Sequence, residues 1–277
     1  MNRDRPFDLD AYRKRIGLAA PVAPTLATLR QIQRLHPQAI PFENLDPLMG
    51  RPVKLDLESL QAKLIRSRRG GYCFEHNLLL GRALAEIGFD VSGLSARVLW
   101  GQSEEAITAR SHMLLRVALP DGVFIADVGF GGQTPTAPLR LIADEEQQTP
   151  LGPFRLAKLD DGFKLQSKIG ADWMTLYRFD LQRQHPIDYE AANFYVSTNP
   201  LSHFTQRLSA ARPVAEGRYA LLNNTLHFHR AGQPSESRVL DSPAAIREAL
   251  DRTFGIDVPD LPGFEAAIAR LGLFEAL

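Results

Sequence analysis

Residues 69–77 read Arg69-Gly70-Gly71-Tyr72-Cys73-Phe74-Glu75-His76-Asn77. Two glycines precede the cysteine, and a stretch with Leu78, Leu79, Ala83, Leu84 and Ile87 at helical spacing follows it, ending at Gly88. Cys73 is therefore expected at the start of a helix, where unpaired N–H groups and the positive end of the dipole favour a thiolate. The glycines permit unusual backbone angles and close approach of a ligand. A lone cysteine is also commonly a buried structural residue, so position alone leaves both readings open.

Upstream, the chain reads as helical. Asp8 caps a predicted helix to Ile16 with Gly17 as its stop. Thr25 caps a second, Leu26 to His36, ended by Pro37, and Asp56 caps a third carrying Leu57, Leu60, Leu64 and Ile65. Downstream the period changes. Aliphatic runs at Val91–Trp100, Met113–Leu119, Val123–Val128, Phe154–Leu159, Phe163–Lys168 and Trp173–Phe179 alternate with turn residues, which predicts an antiparallel sheet or barrel. A helix is expected over Ile187–Val196. Strands are expected at Phe204–Leu208, Arg218–Leu222 and Thr225–His229, with Asn223-Asn224 as a tight turn. Ser242-Pro243 opens a helix to Leu250, and a last helix spans Gly263 to Leu271.

The 277 residues exceed one ordinary core and imply two or three subdomains. Lysine plus arginine equals aspartate plus glutamate, 32 each, which argues against nucleic acid as the partner. The one cysteine excludes an internal disulfide and a multi-cysteine metal site; no metal is expected. The first residues lack the apolar stretch of a signal peptide, and no window reaches the roughly 20 apolar residues of a membrane span. A reducing cytoplasm fits these facts.

A thiol nucleophile needs a base, and the base an orienting group. Of the seven histidines, His36 and His185 flank prolines and His227 and His229 lie in the expected hairpin. His112 opens a strand, and the following strand carries Asp127 among apolar residues, where a carboxylate is costly unless paired. The order Cys73, His112, Asp127 suits a papain-like triad. A tight hairpin at Pro120-Asp121-Gly122 would set Asp127 opposite Leu115 and turn it away from His112, so a bulge or looser loop is expected between the strands. Glu43 and Arg69 are expected to form a buried ion pair fixing the loop before Cys73.

The segment Arg69–Asn77, together with Pro41-Phe42-Glu43-Asn44-Leu45, Ser111-His112-Met113-Leu114-Leu115, Ala126-Asp127-Val128-Gly129-Phe130-Gly131 and Ser197–Phe204, resembles the arylamine N-acetyltransferases of the prokaryotic type. The resemblance implies an α+β chain: a helical bundle (1–88) and a β-barrel (89–186) forming a cysteine-protease-like core, an interdomain helix and linker (187–210), and a C-terminal α/β lid (211–277). It implies acetyl transfer from acetyl-CoA, as co-substrate rather than tightly bound cofactor, to a small aromatic amine or hydrazine, by a ping-pong cycle through acetyl-Cys73. It places the catalytic roles on Cys73, His112 and Asp127, acceptor contacts on Phe42, Val98, Phe130 and Phe204, and CoA contacts on Gly129 and Gly131. It gives His76 no role and leaves a homo-oligomer open. A transglutaminase-like or peptidase-like enzyme could use the same three residues, and a non-catalytic CoA-binding protein could retain them.

Overall fold

Capping residues set the helices of the first third. In the computed structural model, which describes residues 6–230, 232–258 and 261–274, Asp8 accepts from the Ala11 N–H, and α1 (Leu9–Ile16) stops at Gly17 in the left-handed region, φ 72°. Thr25 caps α2 (Leu26–Ala39), which runs through Pro37 instead of ending there. Proline removes one N–H, but the Ile40 N–H bonds the His36 carbonyl at 2.8 Å and re-forms the ladder beyond it. A two-residue strand β1 (Phe42–Glu43) and a short α3 (Leu45–Leu48) follow. Asp56 caps α4 (Leu57–Leu60), which continues as a π-wound segment, Gln61–Arg66. In α5 (Cys73–Ile87) the Glu75 carboxylate accepts from the Tyr72 N–H at 3.0 Å, closing the first turn, and Gly88 ends the helix.

The second unit is an antiparallel sheet of β2 (Asp90–Val98), β3 (His112–Leu119), β4 (Gly122–Ala126), β5 (Leu139–Arg140), β6 (Gln147–Thr149), β7 (Gly152–Leu159), β8 (Gly162–Ile169) and β9 (Asp172–Phe179). Its order is β5-β4-β3-β2-β9-β8-β7-β6 among the described residues. The two end strands meet: the Gln147 side chain accepts from the Arg140 N–H at 2.7 Å and donates to the Arg140 carbonyl at 2.9 Å, so the sheet is a nearly closed barrel. β3 is covered on both sides, which is why it reads as a continuous apolar run rather than alternating. Leu114 joins Leu94, Ile125, Leu156, Leu165 and Tyr177 inside the barrel, while Met113, Leu115 and Val117 pack with Leu79, Leu80 and Leu84 of α5.

α6 (Pro186–Thr198) leads to α7 (His203–Gln206). The strand expected at Phe204–Leu208 is thus largely a helical turn, because Ser202 caps it by accepting from the Phe204 N–H. Then come β10 (Ser209–Val214), β11 (Gly217–Leu222), β12 (Thr225–His229) and β13 (Glu236–Val239), with Asn223 at φ 54° in the turn. Ser242 caps α8 (Pro243–Ala249), which goes on as a π-wound Leu250–Phe254, and α9 (Leu261–Arg270) follows. β10 begins inside the span read as linker. The sheet order β1-β10-β11-β12-β13 brings β1 in from the bundle segment, and Leu45 and Leu48 of α3 enter the core formed with Leu208, Leu221, Leu250 and Phe264. Among the described residues, no helix is long and apolar enough to cross a membrane.

Candidate active site

Cys73 is the first residue of α5, buried with 3% of its surface exposed. The glycines before it serve close approach rather than left-handed backbone. A Cβ on Gly70 would strike the Pro41 carbonyl oxygen, and one on Gly71 would come within 2.5 Å of Glu75 Oε2. The thiol points at the Ser111 carbonyl, 3.6 Å away, beside the start of β3.

His112 and Asp127 meet without the expected bulge. The β3–β4 turn has two residues, Pro120 and Asp121, and pairs Leu119 with Gly122 and Leu115 with Ala126 in a regular ladder. This register differs by one residue from the one assumed from the sequence. It brings Asp127 level with Leu114, two residues from His112 and therefore on the same face of the sheet. His112 Nε2 lies 2.7 Å from Asp127 Oδ2, which leaves Nδ1 for the Cys73 thiol.

Asp127 is 1% exposed and held from several sides. Asn77 Nδ2 (3.0 Å) and the Gly129 N–H (2.9 Å) donate to Oδ1, and the Tyr177 hydroxyl donates to Oδ2 at 2.9 Å. Burial would raise its pKa, but the charge of His112 and these hydrogen bonds keep it below the ordinary value. Burial likewise works against a charged His112, yet Asp127, and after it the Cys73 thiol, raise the imidazole to about 10. Burial and the neighbouring Asp127 push the Tyr177 phenol well above its usual pKa.

Asn77 and Tyr177 were not identified from the sequence. Asn77 carries a readable signal, a polar residue one helical turn after Cys73 and on its face. Its amide also donates to the Met113 carbonyl at 2.7 Å and accepts from the Val128 N–H at 3.1 Å, tying α5 to β3 and to the loop after β4. Tyr177 lies on β9, brought beside His112 through the β2 ladder, a long-range pairing that no local pattern reveals.

The aromatic candidates form two groups. Phe130 stands edge-on to His112 at 5.3 Å between centroids and 5.3 Å from Tyr177. Val98 is paired with Tyr177 across the β2–β9 ladder and shares its face. Phe42 and Phe204 are 6.1 Å apart, with Phe204 also 5.3 Å from Tyr72. Gly131, at φ 87°, links the groups, since a Cβ there would be 3.5 Å from the Phe42 ring. The Gly129 N–H donates to Asp127 Oδ1. The missing side chain of this glycine matters for packing, because a Cβ would lie 2.7 Å from Cys73 Cα. Two surface hollows, of about 350 and 550 Å³, lie elsewhere and are not lined by Cys73.

The expected Glu43–Arg69 pair is present, Nε to Oε1 at 2.7 Å, and belongs to a larger buried cluster. Arg69 also pairs with Asp46 at 3.2 Å, and Lys63 bridges Asp46 at 2.5 Å and Glu75 at 2.7 Å. Burial would raise the Glu43 carboxyl, but Arg69 and Lys63 hold it at about 2. The cluster fastens the segment before Cys73 to α3 and to the π-wound turn after α4. His76 and His36, given no role above, are both fully buried in the bundle and bonded to each other.

Residues 25–261 match a family profile described as N-acetyltransferase. The arylamine N-acetyltransferase of Mycolicibacterium smegmatis is 46% identical over 93% of this chain and 94% of its own, and that of Escherichia coli is 41% identical over 91% and 90%. The structure of the Mycobacterium marinum arylamine N-acetyltransferase superposes with a TM-score of 0.92 at 43% identity, over 95% of this chain and 99% of that one. A second structure of that enzyme, in complex with CoA, gives the same score. With these likenesses spanning nearly its full length, the chain belongs to the arylamine N-acetyltransferase family.

Proposed function

We propose that the chain transfers an acetyl group from acetyl-CoA to the nitrogen of an arylamine or arylhydrazine through an acetyl-Cys73 intermediate. One observation carries this reading: a single imidazole bonded to a buried carboxylate on one side and facing the thiol on the other. In the first half, His112 takes the Cys73 proton and the sulfur attacks the thioester carbonyl. The first-turn N–H groups of α5 are the natural donors to the oxyanion. The tetrahedral adduct collapses, and CoA leaves with the proton returned by His112. In the second half, the amine attacks acetyl-Cys73, His112 accepts the amine proton, and the Cys73 sulfur departs.

The relatives support both substrates, since their names specify arylamines and one neighbouring structure holds CoA. Phe42, Val98, Phe130 and Phe204 would contact the aromatic acceptor, and the Gly129–Gly131 turn would shape the donor's approach. In this reading residues 1–88 and 89–186 form the catalytic core, 187–210 connect it, and 211–277 form the lid. Acetyl-CoA serves as co-substrate without a tightly bound cofactor, and a free cysteine suits a cytoplasmic setting. The hydrolytic alternative finds no support in the relatives named above.

Incubation with acetyl-CoA alone, followed by intact-mass measurement, should show one acetyl group added at Cys73, discharged by an arylamine. Cys73→Ala should take up none. CoA release without an adduct, or turnover by Cys73→Ala, would end the covalent mechanism.

A further inference from the structure

One turn beyond the nucleophile, a buried chain of polar groups crosses the helical bundle. The Tyr12 hydroxyl of α1 is 2.8 Å from His36 Nδ1 on α2. His36 Nε2 is 2.9 Å from His76 Nδ1 on α5, and His76 Nε2 is 3.1 Å from the Pro41 carbonyl. All three side chains are 0% exposed.

The carbonyl at the end decides every proton. It can only accept, so His76 Nε2 carries hydrogen. A second hydrogen on Nδ1 would make His76 a cation, and among the described residues neither ring has a carboxylate as a hydrogen-bond partner. Burial and Lys63 oppose a charged His76, which Glu43 favours, and burial and Arg15 oppose a charged His36. His76 Nδ1 is then an acceptor, His36 Nε2 a donor, His36 Nδ1 an acceptor, and the Tyr12 O–H the final donor. Burial holds both imidazoles below their ordinary pKa, His76 at about 4, and holds the Tyr12 phenol above its own.

We propose that Tyr12, His36 and His76 form a one-way relay of neutral groups that fixes the Pro41 carbonyl, making His76 a positioning residue for the aromatic acceptor. Pro41 precedes Phe42, whose ring stands against Gly131 and Phe204. The same carbonyl receives the Gly71 N–H at 3.3 Å, and Gly71 in turn accepts from the Glu43 N–H at 2.8 Å, so the relay sets the depth of the whole Phe42 segment. The triad has its own supports in Asn77, Tyr177 and Gly129, none of them part of the relay. Pro41 is bonded directly to Phe42, whereas Gly71 is two residues from Cys73, which the supports of the triad also hold; loss of the relay is therefore expected to move Phe42 more than Cys73. The assignment of Phe42 to the acceptor rests on the proposed function; the relay itself does not.

The test has two arms. Nitrogen-15 ring spectra of the full chain between pH 6 and 8 should show His36 and His76 neutral and protonated at Nε2. A cationic ring, or a proton on Nδ1 of either, would overturn the relay without any variant or activity. In the kinetic arm, His76→Gln keeps an acceptor and a donor, the oxygen and nitrogen of one neutral amide, and should behave like wild type. His76→Leu keeps neither and should raise KM for the arylamine about tenfold while Cys73 acetylation in its absence stays within about threefold. Equal effects from Gln and Leu, or a parallel fall in acetylation, would refute the positioning role. If His76→Leu does not fold, Tyr12→Phe, which deletes only the hydroxyl, should show the same split in weaker form. A wild-type chain that takes up no acetyl group would refute the transfer reading, and the ring spectra would still judge the relay.

Discussion

Gly129 sits where the loop after β4 crosses the start of α5, with no room for one more carbon against Cys73 Cα or, at 3.1 Å, His76 Cβ. Displacing a reacting group by about 1 Å commonly costs about a hundredfold in rate. Gly129→Ala should therefore slow Cys73 acetylation by about that factor, followed by intact mass against time, while the far-ultraviolet circular dichroism is unchanged. Asn77→Ala removes three hydrogen bonds, one of them to the charged Asp127. It should lower stability by about 3 kcal/mol, read from denaturant unfolding. The candidate triad was legible residue by residue, because a cysteine at a helix start, a histidine opening a strand and an acid among apolar residues each break a local rule. The supports of Asp127 were less so. Tyr177 looks like an ordinary strand aromatic until β9 is paired, and His36 looked bland because Pro37 was expected to end its helix.

At the scale of elements, caps explain why the helices were read well and why short strands were not. Asp8, Thr25, Asp56 and Ser242 each accept from a first-turn N–H, and Gly17 and Gly88 end their helices as expected. β1, β5 and β6 have two or three residues, too few for any period to register. The β3–β4 register turned on a single residue of turn length, which composition does not determine. Burial of His36 and His76 predicts acid sensitivity of the bundle. Their folded-state pKa values lie below the ordinary 6.5, that of His76 at about 4, so as pH falls below about 6.5 the unfolded chain binds protons that the folded chain does not. The stability they contribute is present above pH 6.5 and is lost as pH falls toward 4. The slope should approach about 1.4 kcal/mol per pH unit for each histidine. Replacing both with glutamine should flatten the unfolding free energy across that window. In the charge cluster, Arg69→Ala would leave Glu43 buried without its main partner, at a cost of about 3–5 kcal/mol. An unchanged melting temperature would show the pair to be dispensable.

For the molecule as a whole, the C-terminal sheet is bound into the rest. β1 is its edge strand, Asn44 donates to the carbonyls of Phe204 (2.9 Å) and Arg207 (2.6 Å), and its amide oxygen receives the Ser209 N–H at 2.7 Å. Arg218 is 5% exposed and carries a pKa lowered by burial to about 10. It donates to the Thr134 carbonyl at 2.6 Å, just beyond the glycine turn. A chain cut after Leu208 would expose Leu45 and Leu48 and take β10 away from β1, so it should precipitate or melt without a sharp transition. The full chain should unfold in one calorimetric step, its measured and van't Hoff enthalpies agreeing. The barrel's nearly closed outline carries a different consequence. Where the other strands are stitched by backbone ladders, the seam between β5 and β6 is bridged by the amide of Gln147, with the Thr136 hydroxyl donating to that of Thr149 beside it. One side chain imitates a missing rung, and it can swing away without breaking any strand. Deuterium should enter the backbone of residues 139–149 ahead of β2 and β3. With Gln147 shortened to alanine, that gap would stand open as an unguarded border to which another chain could add.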